Sequence, residues 1–515
     1  MPDNTEFVPL TWPDVLIMSP ELLLGLCFIA LIVLDLFLPR GVSRGWIGGL
    51  TLASLLGAAL LVALRMIDMN AGEGDAAIIS LLGDSYRIDD FGSLLKLLFL
   101  LGTSFVVLLG LGSTSRDDAI TDKGEYFYLL LPAAIGAMAM ASSGNLVTLY
   151  IGLELLSITS YILVAMRRKS DLSAEAAFKY VVTGGISSVF ILFGMSYLYG
   201  VTGSVQLNAI GEALPGAVEN YEAFVYVGFG MMLAGFGVKI AAAPFHAWSL
   251  DVYQGAPTPV AAFLAVVSKG AALAVVMRIV YSTGLFGAKD AGGAGQGDDF
   301  FFAILLVAAI AMLVGVFAAL RQKNAKRLLA LSGVANAGYL LVPIGLSITA
   351  VHSNNATELL FYLAAYLLMT IGAFAVLTVV GRSAGHDELK GFAGMYHRAP
   401  WTAAAMVIFL LSLAGLPISA GFFGKLFILL GAANAKAYWI VAVMVLSSVI
   451  SYYFYFGLIR QMFMRSGSED AVRVPLPIGL VIWLCAAGTI LLGVFPGLLV
   501  DFIDSVFSFQ GDLMR

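Results

Sequence analysis

Residues 235–248 read GFGVKIAAAPFHAW, and this stretch decides how the chain is organised. It runs apolar, carries Lys239 in its middle, and then meets Pro244. Proline removes one helix hydrogen bond and clashes with the carbonyl four residues back, here that of Ile240. A second stretch, LSLAGLPISAGFFGK at 411–425, has the same build: Pro417 frees the Leu413 carbonyl, and Lys425 closes the run. Broken helices at corresponding places in two halves mark a transporter repeat. Ordinary proline kinks in membrane helices give the same local pattern, so the decision falls to the rest of the chain.

The chain has 515 residues, 60% hydrophobic and 12% charged, with a mean hydropathy of +0.94. A soluble domain carries about 25% charge to wet its surface, so the solvent here is bilayer. The net charge of −5 says little, since orientation follows Lys and Arg placement. Cys27 and Cys485 lie far apart inside apolar runs, which argues against a disulfide framework, a zinc site or an iron–sulfur cluster. No GxGxxG opens a helix after a strand, and there is no P-loop. The chain itself is therefore expected to hold no cofactor. Its start, MPDNTEFVPLTWPD, is acidic and does not read as a cleaved signal peptide.

Fourteen apolar runs are long enough to cross a hydrocarbon core of roughly 30 Å. They cover 14–38, 45–67, 89–112, 126–143, 145–166, 174–200, 221–254, 257–283, 299–320, 325–347, 356–381, 400–433, 437–463 and 475–504. Lipid offers no partner to an unpaired backbone group, so helices are expected throughout. Loops after odd-numbered spans are basic, such as PRGVSRG, MRRKS and RQKNAKR. Those after even-numbered spans, such as GEGDAAIISLLGDSYRIDD, QLNAIGEALPGAVENYE, GAKDAGGAGQGDD and HSNNATE, are acidic or neutral. That alternation places both termini on the outer side. The expected fold is an all-α polytopic membrane protein of about 14 transmembrane helices, with helices 7 and 12 broken. Aligning the two breaks pairs spans 4–8 with spans 9–13. Five is odd, so the second unit is inserted upside down. The divisions are 1–125 (three helices), 126–283 (first repeat), 299–463 (second repeat) and 475–515 (last helix and tail).

Several charges sit in the wrong solvent. An ionisable group at mid-bilayer costs roughly 2.5–3.5 kcal/mol and is usually functional. Glu154 is central in span 5, Lys239 in span 7 and Lys269 in span 8. Lys425 follows the break in span 12, towards the outer side, and Lys179 lies about two turns into span 6 from the basic side. Together the five cost on the order of 15 kcal/mol without pairing, hydration or use. Desolvation favours a neutral lysine and a carboxylate neighbour favours a charged one, so a lysine set between the two can pass a proton. Glu154 is the expected partner of Lys239. Lys269 has no acidic neighbour in sequence and calls for a hydrated path. His246, two residues after the break, titrates near neutrality and is placed to bridge Lys239 and Lys269. Structural readings stand beside these: Lys179 snorkelling to headgroups, a Glu154–Lys239 pair that only locks two spans, Lys425 facing the outer interface, a satisfied His246. Lys96 and Asp35 are expected to be structural; His352, His386 and His397 fall in loops.

With these positions placed, the chain resembles the antiporter-like subunits of respiratory complex I, which share ancestry with Mrp-type sodium/proton antiporter subunits. The resemblance spans nearly the whole length. It is carried by FGVKIAAAPFHAWSLDVYQGAPTPVAAFLAVVSKGAA (236–272), LYIGLELLS (149–157) and QKNAKRLLALSGVANAGY (322–339). SPELLLG, LPISAGFFGK and the end soon after span 14 resemble the N-type members, counterparts of mitochondrial NADH dehydrogenase subunit 2. The resemblance implies a Glu154–Lys239 coupling pair, Lys269 as central relay, Lys425 as the distal group, Lys179 on the input side and His246 as a bridge. It implies proton translocation as a subunit of an NADH:quinone oxidoreductase in the inner (plasma) membrane. M-, K- and J-type neighbours would lie beside it, and partner subunits would carry FMN and iron–sulfur clusters and bind quinone. One departure stands out: members often carry a histidine in span 10 where this chain has Asn336. Asparagine carries no proton charge, so the Lys269–Lys425 link would rest on water.

Other classes fit less well. An Mrp-type Na+/H+ antiporter subunit is the alternative. A carrier for organic solutes would line its midplane with substrate-shaped polar groups, and a bare membrane anchor leaves the buried charges unexplained. Nothing points to nucleic acid.

Overall fold

The computed structural model describes residues 11–39, 42–70, 78–114, 117–283, 297–348, 354–467, 471–507 and 512–513. Twelve helices among these are long and apolar enough to cross a membrane. In chain order they begin with α1 (Ser19–Phe37), α2 (Gly45–Asn70), α3 (Asp90–Ser113), α4 (Lys123–Ala141), α5 (Leu146–Val164), α6 (Asp171–Thr202) and α7 (Leu207–Ile240). The short α8 (Ala247–Gly255) follows the first break, then α9 (Thr258–Ser282), α10 (Asp299–Ala319), α11 (Ala325–Leu341) and α12 (Asn355–Ala384). The second broken pair is α13 (Pro400–Ala414) and α14 (Ala420–Asn434), before α15 (Tyr438–Met464) and α16 (Leu476–Val494).

Both expected breaks are present. α7 stops at Ile240, where Ala241 takes a left-handed φ of 57°. α13 stops at Ala414, where Gly415 has φ 81°. Other boundaries differ. A helix over 207–220 precedes the seventh span, which starts where expected at a kink at Tyr221. The glutamates of that helix made 206–222 read as a loop, but Leu207, Ile210, Leu214, Ala217 and Val218 recur at helical spacing and are buried. The last span is interrupted before Gly497–Val506. One hairpin departs from the all-helical pattern: β1 (Ile79–Leu81) pairs antiparallel with β2 (Tyr86–Ile88), with Leu81 opposite Tyr86.

α9 and α12 are buried along nearly their whole length and form the centre of the molecule. Lipid is as apolar as leucine, so close packing through small residues drives helix association. A side chain at Gly194 of α6 would meet the Gly228 carbonyl of α7 at 2.5 Å, and one at Gly136 of α4 would meet the Gly152 carbonyl of α5 at 2.7 Å. A charge pair that sequence reading missed ties the centre to the first helices. Arg278 of α9 pairs fork-to-fork with Asp89, at 2.7 and 2.9 Å, and donates to the Ala141 carbonyl at 2.7 Å. Asp89 also caps α3 by accepting from the Gly92 amide. Both residues are essentially inaccessible.

Removing one partner of a buried pair costs about 3–5 kcal/mol, because the other charge is left uncompensated. Asp89→Asn is therefore expected to lower the thermal unfolding midpoint and the amount of chain recovered in membranes. A melting curve that overlays the wild-type one would refute this role.

Candidate functional site

Lys239 is the penultimate residue of α7, and its ammonium turns into a polar notch between α5 and α6. It donates to Ser157 Oγ at 2.9 Å and Ser188 Oγ at 3.3 Å, with the Gly184 carbonyl at 3.4 Å and Tyr161 OH at 3.5 Å. The notch depends on Gly184, since any Cβ there would overlap the Tyr161 hydroxyl. Glu154 stands on α5 one turn before Ser157. It forms no ion pair with Lys239 within 4 Å, and its buried Oε1 has no hydrogen-bond partner. The expected pair is thus not in contact, because the lysine is already occupied by hydroxyls. The two still interact electrostatically.

Lys269 opens the second α-helical part of α9, directly after a π-helical turn, Leu264–Ser268. Such turns are rare and cluster at functional sites. The ammonium donates to the Gly333 carbonyl of α11 at 2.5 Å and lies 5.8 Å from the centre of the Tyr366 ring. Lys425, on α14, donates to the Leu413 carbonyl at 2.8 Å and the Ala414 carbonyl at 3.4 Å, over the Tyr339 ring at 4.7 Å. The carbonyl that Pro417 was expected to free is therefore taken by the lysine of the same span.

Polar side chains occupy the ground between these lysines. Tyr180 of α6 stacks on Trp248 and packs edge-on against Tyr161. His246 is half-buried, its Nδ1 has no hydrogen-bond partner, and no hydrogen bond joins it to either lysine. The expected bridge from His246 is thus not a direct hydrogen bond to either lysine. Further on, Asn336 Oδ1 accepts from Tyr362 OH, and its Nδ2 donates to the Ser332 carbonyl. Ser332 Oγ meets Tyr455 OH, and the Tyr339 hydroxyl reaches Ser447 and Ser448. Asn336 is thus part of a side-chain hydrogen-bond network with Ser332, Tyr362 and Tyr455.

Lys179 is part of an ion cluster rather than a lone snorkelling charge. Its ammonium lies 2.6 Å from both Glu175 Oε1 and Asp251 Oδ2, and Arg327 pairs with the other Asp251 oxygen. Lys96 and Asp35 are paired, with Glu21 and Arg44 respectively. His386 Nδ1 accepts from the Glu388 amide in a loop; His352 lies outside the described residues. Sequence reading missed Tyr180, Tyr362, Asp251 and Arg327. The only signal for Asp251 was a carboxylate in the last turn of the seventh span as drawn.

A family model described as NADH:quinone oxidoreductase/Mrp antiporter, TM, matches residues 143–451. An NADH-quinone oxidoreductase subunit N from Paenibacillus sp. (strain JDR-2) is 66% identical over 99% of both chains. One from Brevibacillus brevis is 46% identical over 92% of both. A chain of respiratory complex I from Thermus thermophilus superposes with a TM-score of 0.76 at 31% identity, covering 94% of this chain and 98% of that one. A chain of the Mrp complex from Dietzia sp. shares the fold, with a TM-score of 0.81 at 18% identity over 96% and 99% of the two chains. With its broken helices and buried lysines, the chain belongs to the transmembrane family of NADH:quinone oxidoreductase and Mrp antiporter subunits, among the NADH-quinone oxidoreductase subunits N.

Proposed function

We infer that the chain is the proton-translocating membrane-arm subunit of a proton-pumping NADH:quinone oxidoreductase, carrying protons while partner subunits reduce quinone. The observation that supports this best is the row Lys239, Lys269 and Lys425, each held by neutral oxygens rather than by a carboxylate in contact. A lysine on a carbonyl or hydroxyl keeps three donors when charged and becomes an acceptor when neutral. Such a group can therefore release a proton without leaving an orphaned anion beside it. Lys179, wet at the basic end, loads the path. Glu154 acts on Lys239 through its field. Tyr180 and the network from Ser332 to Tyr362 fill the gaps, and His246 borders the break.

The finer reading follows from the loops and the breaks. Residues 126–283 and 299–463 act as two inverted five-helix units, each with a lysine beside its broken helix. The basic loops face the cytoplasm, so both termini lie on the outer side of the inner (plasma) membrane. M-, K- and J-type subunits flank the chain, and flavin, iron–sulfur clusters and quinone belong to partner chains.

Loss of a positioned proton carrier slows the step it serves on the order of 100-fold. Lys269→Met in the assembled complex is thus expected to cut NADH-driven proton uptake by inverted membrane vesicles while the subunit content stays normal. Unchanged uptake would overturn the reading, and sodium-stimulated exchange without NADH would favour an antiporter subunit. Glu154→Gln is expected to slow uptake less, because no contact is broken. Tyr362→Phe leaves the buried Asn336 oxygen unpaired, at about 1–3 kcal/mol. The same vesicles should then take up protons more slowly with electron transfer retained, and a wild-type rate would remove Tyr362 from the path.

A further inference from the structure

The ion cluster at the basic end contains a carboxylate that serves two masters. Asp251 presents Oδ2 to Lys179 of α6 and Oδ1 to Arg327 in the first turn of α11. Glu175 supplies the second carboxylate to Lys179, so the four side chains balance in charge. The two cations therefore stand in competition for Asp251, and neither holds it alone.

Position makes this sharing consequential. Asp251 sits on α8, the short helix that follows the break beside Lys239. The residue before Arg327 grips the end of the same helix: Lys326 Nζ donates to the carbonyls of Ala256 at 3.1 Å and Gln254 at 3.4 Å. α11 thus clasps α8 with two consecutive cations. Six residues further along α11, about 9 Å of helix rise, the Gly333 carbonyl holds Lys269. One rigid helix connects the Asp251 contact with the central lysine's acceptor.

The cluster is too wet to be explained as a staple. Side-chain exposure is 39% for Lys179, 31% for Asp251 and 32% for Arg327, and ion pairs of that kind are worth about 1 kcal/mol or less. The helices are held by their buried faces. What the cluster adds is communication: when Lys179 gives up its proton or swings away, the whole charge of Asp251 passes to Arg327.

We propose that Asp251 is a positioning residue that couples the state of Lys179 to α11, and through α11 to Lys269. This rests on the proton-translocation reading above. The test uses the assembled complex in inverted vesicles, with NADH oxidation, proton uptake and subunit content measured together. Asp251→Asn is expected to slow proton uptake about fivefold or more, the lower end of typical coupling between sites. Assembly stays normal, and Asp251→Glu restores the rate. Arg327→Gln gives the same loss, and the double variant is no worse than either single one. It also carries the test should Asp251→Asn fail to assemble. Wild-type uptake in Asp251→Asn or Arg327→Gln, or additive losses in the double variant, overturns the proposal. Lys269→Met separates the two levels: if it too leaves uptake intact, the proton-translocation reading falls, whereas if it alone abolishes uptake, only the role of Asp251 falls.

Discussion

An ammonium inside a membrane must be given oxygens, and the rest of this molecule is arranged around meeting that demand without supplying an anion in contact. A lysine at mid-bilayer costs roughly 2.5–3.5 kcal/mol even on forgiving scales. Regular helices lower that cost little, because each carbonyl already accepts one bond of the ladder and has only its second lone pair to offer. The chain answers with irregular backbone and small polar side chains. Lys425 uses the carbonyls left open where α13 ends, and Lys239 uses serine hydroxyls on α5 and α6. Lys269 follows directly on a π turn and borrows a carbonyl from α11. Contrast Lys96, held 2.7 Å from Glu21 and bonded to Tyr86. At a site as buried as that of Lys96, a full anion at contact fixes the charge of a lysine; a dipole holds the side chain without fixing it.

The two breaks solve the same problem differently. After α7, the Val238 carbonyl accepts from both the Ala241 amide and the Trp248 indole, and Lys239 turns towards its neighbours. After α13, no such indole intervenes, and Lys425 itself caps the helix end. A lysine just before a break can be shared with other helices, while one just after a break closes its own. Lys239 is thus held by side chains of neighbouring helices, and Lys425 by the helix end of its own broken span, over Tyr339.

Much of this was legible in the sequence because membrane physics leaves few choices. Pro244 and Pro417 located both breaks, and the deep lysines stood out by their place in apolar runs. What the sequence hid follows one rule. A charge can be noticed on its own, but a partner is a fact of folding. Arg278 and Asp89 are 189 positions apart, and Asp251 and Arg327 are 76 apart. Tyr180 and Tyr362 look like ordinary aromatic residues until the structure shows what they touch. Glu154 and Lys239 were paired by default, as the acid and base at similar depth. Serine hydroxyls nearer to the lysine occupy its donors instead. The helix that precedes the Tyr221 kink was missed for a related reason: glutamates on one face of a helix count as a loop in any tally that ignores periodicity.

Asn336 shows where the path is narrowest. Its amide donates to the Ser332 carbonyl and its oxygen accepts from Tyr362, so both ends are committed. An amide cannot take up a proton at neutral pH, and a tyrosine hydroxyl passes one only by releasing its own. A chain of such groups conducts by reorientation, in which every donor must turn before the next proton moves. Tyr339, Tyr362 and Tyr455 are all buried, so each turn must break a buried hydrogen bond. On the proposed reading, a proton passing from Lys269 to Lys425 would have to wait for these hydroxyls to turn in sequence, and that makes this network the step to which the rate of the proposed path is most sensitive.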